Sequence, residues 1–488
     1  MSSLLPRAST FSPLVTQSAT ELARKIRTRE VTSLEVVDAH IAVIHAENGA
    51  LNAVIESRFD AARDEARSAD ARVQREDAAT LPPLHGVPCT IKESFFVKGM
   101  HSTGGLLARS GNVSTEDAVV VNRVRDAGAI VLGTTNVSEL CMWMESENQV
   151  YGRTSNPYDH TRGVGGSSGG EGASVSAGFA PFGIGADVGG SIRIPAFMNG
   201  IFGHKPTGGI IPNAGQYPLI TARILTSGPL CRRAEDLAPL MRLLMGPDAS
   251  SPECGEATFG DPSKVSFEGM RVVSVDTNGL TPVHPELRAA QERLAMHLKS
   301  RGAVVETRTF PRFKKSVLYW SAAMSSAGSE DYAVLLGNGT RLNKARELLR
   351  LALGQSPFTV PSMALMLVED LPKLLPDNSR AMLDEMEGFR RELEDAIGDG
   401  VMLFPGYSAP APKHRAPWAN PIAWAYTAIF NVTEMPSTQV PLGLGSLGLP
   451  LGCQVVSVRG ADDRTIACAV EVERALGGWV PPRHLRSR

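Results

Sequence analysis

The sequence predicts an α/β fold: a single large mixed β-sheet covered by helices on both faces, with a helical cap inserted in it. Three observations carry this expectation. Short apolar runs alternate with helical patterns over most of the chain. A helix–glycine–strand grammar occurs twice. The 488 residues, 43% hydrophobic and 20% charged, can bury a large core. Length alone would suggest two to three domains. No internal repeat is visible.

The first 80 residues read as a helical segment packing on the core. Leu22 to Arg27 and Leu34 to Ile44 place apolar residues at helical spacing, with Ser33 as N-cap of the second helix. A third helix, near Arg58 to Glu76, is laced with charge and is expected to face solvent. Pro82-Pro83 breaks the chain and opens a catalytic core over 81–315, beginning with Gly86 to Lys92 as a short buried strand. Ser114 to Asp117 is a variant capping box, Asp in place of Glu, opening a helix through Ala127. Gly128 closes it, and Ala129 to Leu132 follows as a strand. The grammar returns at Pro285 to Ser300, Gly302, and Val304 to Thr307, while Met270 to Val275 and Val401 to Phe404 are further strands.

The alternation stops between Ser316 and Pro376. Apolar helical pieces there are broken by Gly337, Gly339, Gly354, Pro357 and Pro361, so 316–376 is expected to be a cap that borders an acyl channel. Its stripe Val360, Met363, Ala364, Leu367 and Leu371 has helical spacing, suited to a core face or to a channel wall. Strands resume afterwards, so 377–488 completes the same α/β core, with Trp418, Trp424 and Phe430 as packing or pocket residues.

A net charge of -2 with both signs mixed along the chain leaves no nucleic-acid footprint. Cys89, Cys141, Cys231, Cys254, Cys453 and Cys468 form neither C-x-x-C nor any metal-ligand spacing. Reduced thiols, a cytoplasmic location, no metal and no cofactor are therefore expected. The opening M-S-S-L-L-P-R-A-S-T-F-S-P-L-V has no unbroken apolar run, and no stretch is long enough to span a bilayer. Neither a signal peptide nor a transmembrane anchor is expected.

The chemistry concentrates between Gly163 and Pro206. Ser167 and Ser191 each sit inside a glycine cluster, G-G-S-S-G-G and D-V-G-G-S, and Lys92 lies upstream in G-V-P-C-T-I-K. Glycines around a hydroxyl let backbone N–H groups approach a reacting oxygen without a Cβ in the way. Ser191 is the nucleophile of choice, because a tight turn at Asp187-Val188-Gly189-Gly190 would aim successive N–H groups at a developing oxyanion. The base is the harder assignment. None of the ten histidines has a partner that sequence can supply, although His160 and His204 flank the glycine clusters and His85 and His101 flank Lys92. A lysine with pKa ~10.4 is neutral about once in 2,500 molecules at pH 7, a penalty of about 4.6 kcal/mol. Burial lowers a lysine pKa by several units, and Lys92 sits in an apolar strand beside Val87 and Ile91. Ser167 is then placed to relay a proton between Lys92 and Ser191.

Two competing motifs fail. Gly165 to Gly169 satisfies G-x-S-x-G, but the turn formers Asn156 to Arg162 precede it where a strand is required. Gly183-Ile-Gly185 begins like a dinucleotide fingerprint, but the third glycine position holds Val188. The bland alternatives are a Gly/Ser-rich loop without chemistry and an ordinary ion-paired lysine.

The stretch from Gly86 to Lys205, with G-V-P-C-T-I-K, G-G-S-S-G-G-E-G and D-V-G-G-S-I-R-I-P in order, resembles the amidase signature family of serine hydrolases. The resemblance implies Lys92 as base, Ser167 as the bridging serine joined to its neighbour by a cis peptide, and Ser191 as nucleophile. It implies oxyanion donors from the backbone of Val188, Gly189, Gly190 and Ser191, with Asp187 and Arg193 fixing the loop and Ser168 as a supporting hydroxyl. The likeness is closest to fatty-acid amide hydrolases of the second type, through I-K-E-S, Glu171, and I-F-G-H-K-P-T-G-G-I-I-P-N-A-G-Q-Y-P. It covers most of the chain and is weakest over 316–376. No counterpart to the membrane-anchoring N-terminal helix of the animal enzymes is expected here.

The expected function is a metal-free amidase that converts carboxylic amides, fatty-acyl or aryl among them, to acid plus ammonia or amine through an acyl-serine. Esterase activity is allowed alongside, since an ester is the easier acyl donor. The expected partner is a small-molecule amide; a homodimer is compatible with the sequence. The alternatives are an A-type subunit of a glutamyl/aspartyl-tRNA amidotransferase and a non-catalytic binding protein on the same scaffold. I-K-E-S and Glu171 argue against the first, and the intact Lys92, Ser167 and Ser191 against the second.

Overall fold

The computed structural model describes residues 11–328, 330–369 and 379–486. The first ten residues, read above for a signal peptide, and Leu371 of the apolar stripe lie outside the described residues.

Eleven strands form one mixed sheet. In chain order they are β1 (Val54–Ser57), β2 (Pro88–Lys92), β3 (Ile130–Thr135), β4 (Phe182–Asp187), β5 (Phe202–Lys205), β6 (Thr226–Cys231), β7 (Arg271–Ser274), β8 (Val304–Thr307), β9 (Val401–Pro405), β10 (Ser437–Leu444) and β11 (Pro450–Val456). Their order across the sheet is β1-β3-β2-β4-β6-β5-β10-β11-β9-β7-β8. Two flanks are parallel, β3-β2-β4 and β9-β7-β8, and the centre between them is antiparallel. Both helix–glycine–strand units build parallel pairs. Helix Val119–Asp126 crosses from β2 to β3, and helix Pro285–Ser300 from β7 to β8. Parallel neighbours need such a crossover, and its helix covers one face. Interior strands β2, β3, β4 and β9 are buried along their whole length, whereas edge strand β8 is not, as expected for a sheet sheathed on both faces.

Small residues let the layers close. On β4 a Cβ at Gly183 would overlap the carboxylate of Glu171, which enters from helix Gly169–Ser176. At Gly128 the backbone takes φ 88°, the left-handed turn that ends helix Val119–Asp126 before β3.

Three expectations about element ends and faces are corrected. The second helix, Ser33–Leu51, is capped by Thr32 and not Ser33. Thr32 and Glu35 form a reciprocal capping box, with Glu35 N to Thr32 Oγ1 at 3.1 Å and Thr32 N to Glu35 Oε2 at 2.7 Å, and Ser33 instead donates to the Gly86 carbonyl at 2.8 Å. Ser114–Asp117 opens no helix. The helix begins after Ala118 without a side-chain cap, because Asp117 accepts from Lys98 N at 2.7 Å and pairs with Arg125 at 3.1 Å. In the cap, helix Val360–Val368 buries Ser362, Met363 and Met366, while Val360 and Ala364 are exposed. Thr359 sets that rotation: its N and Oγ1 donate to buried Glu139 Oε2 at 2.9 and 2.8 Å.

The cap begins with helix Ser316–Ser326 and continues through Tyr332–Leu336, Lys344–Ala352 and Val360–Val368. Met363 and Met366 pack with Tyr332, Leu336 and Phe358 against Leu106 and Leu140 of the core. Among the described residues no helix is long and apolar enough to cross a membrane.

The N-terminal helix Ala19–Arg27 is pinned from far along the chain. Asp236, 1% exposed, accepts from Ala19 N, Thr20 N and Thr20 Oγ1, each at 2.8 Å. Asp236→Ala leaves two helix-end N–H donors without acceptors, and is expected to lower stability by about 1–3 kcal/mol, read as a lower Tm, with Asp236→Asn less affected.

Candidate active site

The site stands at the carboxyl ends of two parallel neighbours, the usual place for a site in such a sheet. β2 ends in Lys92 and β4 in Asp187, with Ile91 opposite Ile184 in register. The segment Gly165-Gly166-Ser167-Ser168 lies across these ends and enters helix Gly169–Ser176. The peptide between Gly166 and Ser167 is cis, as the family resemblance implies.

Lys92 is 1% exposed. Its Nζ donates to Ser167 Oγ at 2.7 Å and lies 3.4 Å from the Ala186 carbonyl. Burial pushes its pKa below the ordinary lysine value. Ser168 N–H donates to the Ser191 carbonyl at 3.2 Å, and Ser168 Oγ to Ala186 O at 3.3 Å, which ties the two serine loops together. Among the described residues the Ser191 hydroxyl has no hydrogen-bond partner, and the residue is half-buried and lines a cleft. The first link of the expected relay, Lys92 to Ser167, is therefore made, while the second, Ser167 to Ser191, has no direct bond. Both serines face one small pocket.

Asp187 organises the 187–193 turn. Its Oδ1 accepts from Gly190 N at 2.7 Å and its Oδ2 from Ile192 N at 3.0 Å. Arg193 grips both oxygens, Nη2 to Oδ1 at 3.0 Å and Nε to Oδ2 at 3.1 Å. The remaining guanidinium donors reach Thr427 O, Gln454 Oε1 and Asn431 Oδ1 at 2.9, 2.8 and 2.6 Å. Burial alone would raise the Asp187 carboxyl, but the Arg193 charge and these donors more than offset it and hold it below the usual carboxylate range. The pair is fully buried and fully bonded, the condition under which a buried ion pair is tolerable.

The peptide planes of this turn share a pattern. The carbonyl of Asp187 accepts from Asn431 Nδ2 at 3.0 Å, that of Val188 from Trp320 Nε1 at 2.7 Å, and that of Gly190 from Ile194 N at 2.8 Å. In a trans peptide the N–H points opposite to its carbonyl. Anchoring those three carbonyls therefore turns the N–H groups of Val188, Gly189 and Ser191 the other way, and none of the three has an acceptor among the described residues. Gly190 departs from the expected donor set: its N–H is committed to Asp187.

Two cavities meet at Ser191. The larger, about 700 Å³ with its open mouth, is walled by Met142, Trp143, Met144, Ile194, Trp320 and Trp424. Trp320 and Trp424 pack edge to face, ring centroids 4.8 Å apart. The smaller, about 340 Å³, is lined by Lys92, Ser94, Ser167, Ser191 and Gln216. Ser94 is 2% exposed and its hydroxyl has no partner among the described residues. Cys141, the half-buried one of six free thiols, borders both cavities.

No histidine lines either cavity. His204 bridges Thr438 Oγ1 at 2.8 Å and Asp462 Oδ1 at 3.1 Å, a threonine–histidine–aspartate row with all three side chains buried away from both cavities. His414, His85 and His101 bond to His160 O, Ala69 O and Glu56. Among the described residues no three His, Cys, Asp or Glu side chains cluster as a metal site. Sequence reasoning singled out Lys92, Ser167, Ser168, Asp187, Arg193 and Ser191, and the structure brings them together. It missed Asn431, Gln454, Thr427 and Trp320, whose partners lie more than 130 residues away and leave no local pattern.

A family model described as Amidase matches residues 35–466. Fatty-acid amide hydrolase 2-A of Danio rerio is 43% identical over 491 residues, covering 96% of this chain and 91% of that protein. Fatty-acid amide hydrolase 2 of Homo sapiens is 40% identical, with the same 96% and 91% coverage. Among solved structures, a 6-aminohexanoate cyclic dimer hydrolase complexed with substrate matches with a TM-score of 0.80 and 26% identity, over 97% of this chain and 100% of that one. The chain belongs to the amidase family and is an amide-hydrolysing enzyme on its mixed α/β fold.

Proposed function

We propose that the reaction runs through an acyl-enzyme on Ser191, with Lys92 as base acting through Ser167, on amides of apolar acids that carry a small amine. The observation that supports this most directly is the 2.7 Å contact between a buried Lys92 Nζ and Ser167 Oγ. Rotation of the Ser191 hydroxyl toward Ser167 in the shared pocket completes the relay. Such bonds commonly tighten only when substrate is bound.

In the first step neutral Lys92 takes the Ser167 proton as Ser167 takes that of Ser191. Ser191 Oγ bonds to the carbonyl carbon, and the carbonyl electron pair moves to oxygen. The N–H groups of Val188, Gly189 and Ser191 receive that oxyanion, and Asp187 and Arg193 hold the turn that presents them. Collapse re-forms the carbonyl and breaks the C–N bond. The leaving nitrogen takes its proton from Ser167, which regains one from Lys92. Water then repeats the sequence on the ester and releases the acid.

Proton delivery fixes the substrate's direction. The leaving nitrogen must lie beside Ser167, hence on the side of the smaller pocket, whose size and mainly apolar walls around Ser94 and Gln216 suit ammonia or a short amine. The acyl group then occupies the cleft of Trp143, Trp320, Trp424 and Met144, which suits an alkyl or aryl acid. The names of the fatty-acid amide hydrolase 2 relatives agree with an apolar acyl group. The segment 316–376 contributes Trp320 and Leu365 to that cleft, in keeping with a cap that shapes acyl selection. Six unpaired thiols support a reducing, cytoplasmic setting.

Ser191→Ala is expected to lower kcat on an aryl anilide by about a million-fold and to abolish labelling by a fluorophosphonate; retained turnover would end the proposal. Lys92→Ala should fall comparably, and Ser167→Ala should keep a weak residual rate. Protonation of Lys92 removes the base, so kcat/KM rises with pH through its lowered pKa and then levels. A rate that stays flat down to about pH 4 contradicts a neutral-lysine base.

A further inference from the structure

We propose that Trp320 is a positioning residue for the oxyanion site, a role that rests on the acyl-enzyme reading above. Three anchors aim the three unpaired N–H groups of the turn, and two of them come from the buried core. Asn431, 1% exposed, holds the Asp187 carbonyl, and Ile194 N holds that of Gly190 from the first turn of helix Arg193–Met198. The third is different in origin. Trp320 lies on helix Ser316–Ser326, the first helix of the inserted cap, and its indole N–H reaches the Val188 carbonyl at 2.7 Å.

That carbonyl belongs to the same peptide plane as the Gly189 N–H, so the indole bond decides where this N–H points. Gly189 has no side chain to resist rotation of the plane, and the residue after it is at φ 130°, a conformation open to glycine. Without the indole, the Val188–Gly189 plane has no other anchor on its carbonyl among the described residues, whereas the next carbonyl, Gly189 O, is separately held by Thr427 Oγ1 at 2.6 Å. A flip of this one plane would replace a donor by a carbonyl oxygen facing the oxyanion. Trp320 is also part of the acyl cleft wall, with Trp424 packed against it, so the same ring that meets the acyl group steadies the donor. Binding contact at the ring can thereby be expressed in the transition state, where it raises kcat, as well as in the ground state.

The test compares Trp320→Phe with Trp424→Phe on one anilide, with Ki for an arylboronic acid measured alongside. The boronate forms a tetrahedral adduct with Ser191 and places an anionic oxygen in the oxyanion site. Trp320→Phe keeps most of the ring and removes the N–H. Its kcat is expected to fall about 10- to 100-fold, somewhat less than for loss of a donor itself, with KM within about twofold and Ki rising by the same factor as kcat falls. Trp424→Phe trims the same cleft without touching a carbonyl, so its loss is expected mainly in KM. Replacement of Trp320 by 3-benzothienylalanine, which exchanges the N–H for sulfur at nearly constant volume, should reproduce the kcat loss even if the Phe variant folds poorly. The proposal is overturned if kcat stays within twofold, if only KM changes, or if both tryptophan variants lose kcat equally. Wild-type enzyme that neither labels with a fluorophosphonate at Ser191 nor binds the boronate overturns the acyl-enzyme reading and this role together. Normal labelling with an unchanged Trp320→Phe kcat overturns the role alone.

Discussion

The buried Asp187–Arg193 pair is the constraint on which the site depends. One carboxylate receives three backbone N–H groups, the Asn431 amide and a two-pronged guanidinium, and the guanidinium is in turn held by Thr427, Gln454 and Asn431. These bonds fold residues 187–193 into a single turn and join it to helix Ala425–Val432 and strand β11. The turn cannot relax to satisfy its own N–H groups, because its carbonyls are taken from outside. Three N–H donors are left without an acceptor among the described residues as a consequence of that geometry.

The same pair shapes the electrostatics of Lys92. An unpaired carboxylate at Asp187 would favour the ammonium form, and Asp187 does pull the lysine pKa upward against burial. Arg193 supplies a compensating charge at hydrogen-bond distance from that carboxylate. Glu171, on helix Gly169–Ser176, is pushed up to about 8 by burial, which weakens its pull on the Lys92 charge. Its oxygens accept from Thr90 Oγ1 and Thr135 Oγ1 at 2.7 and 2.8 Å, and the Lys92 charge works against its rise. A neutral lysine is thus supported chiefly by burial, with the Asp187 charge compensated by Arg193.

The cap is joined to this centre at two points of backbone chemistry. Thr359 binds Glu139, which begins the loop carrying Cys141, Met142, Trp143 and Met144 into the cleft, and Trp320 binds Val188. Acyl recognition and the reacting centre therefore share a wall. The inserted cap is in direct contact with the turn that follows β4.

Much of the fold was legible because local patterns report local physics. The two helix–glycine–strand units, the charge-laced third helix and the strand ending in Lys92 follow from periodicity and turn residues alone. Failures occurred where a distant group competed. Asp117 left its expected capping role for Lys98 and Arg125, and the face of helix Val360–Val368 was set by Glu139, 220 residues away. The residue types needed for amide chemistry, and the glycines that let backbone approach them, were determined by the sequence, since only small residues tolerate that crowding. Which N–H groups remain free, that Gly190's does not, and that Trp320 points one of them were decided by tertiary structure. A peptide plane is oriented by whatever reaches its carbonyl, and those partners converge only once the chain has folded.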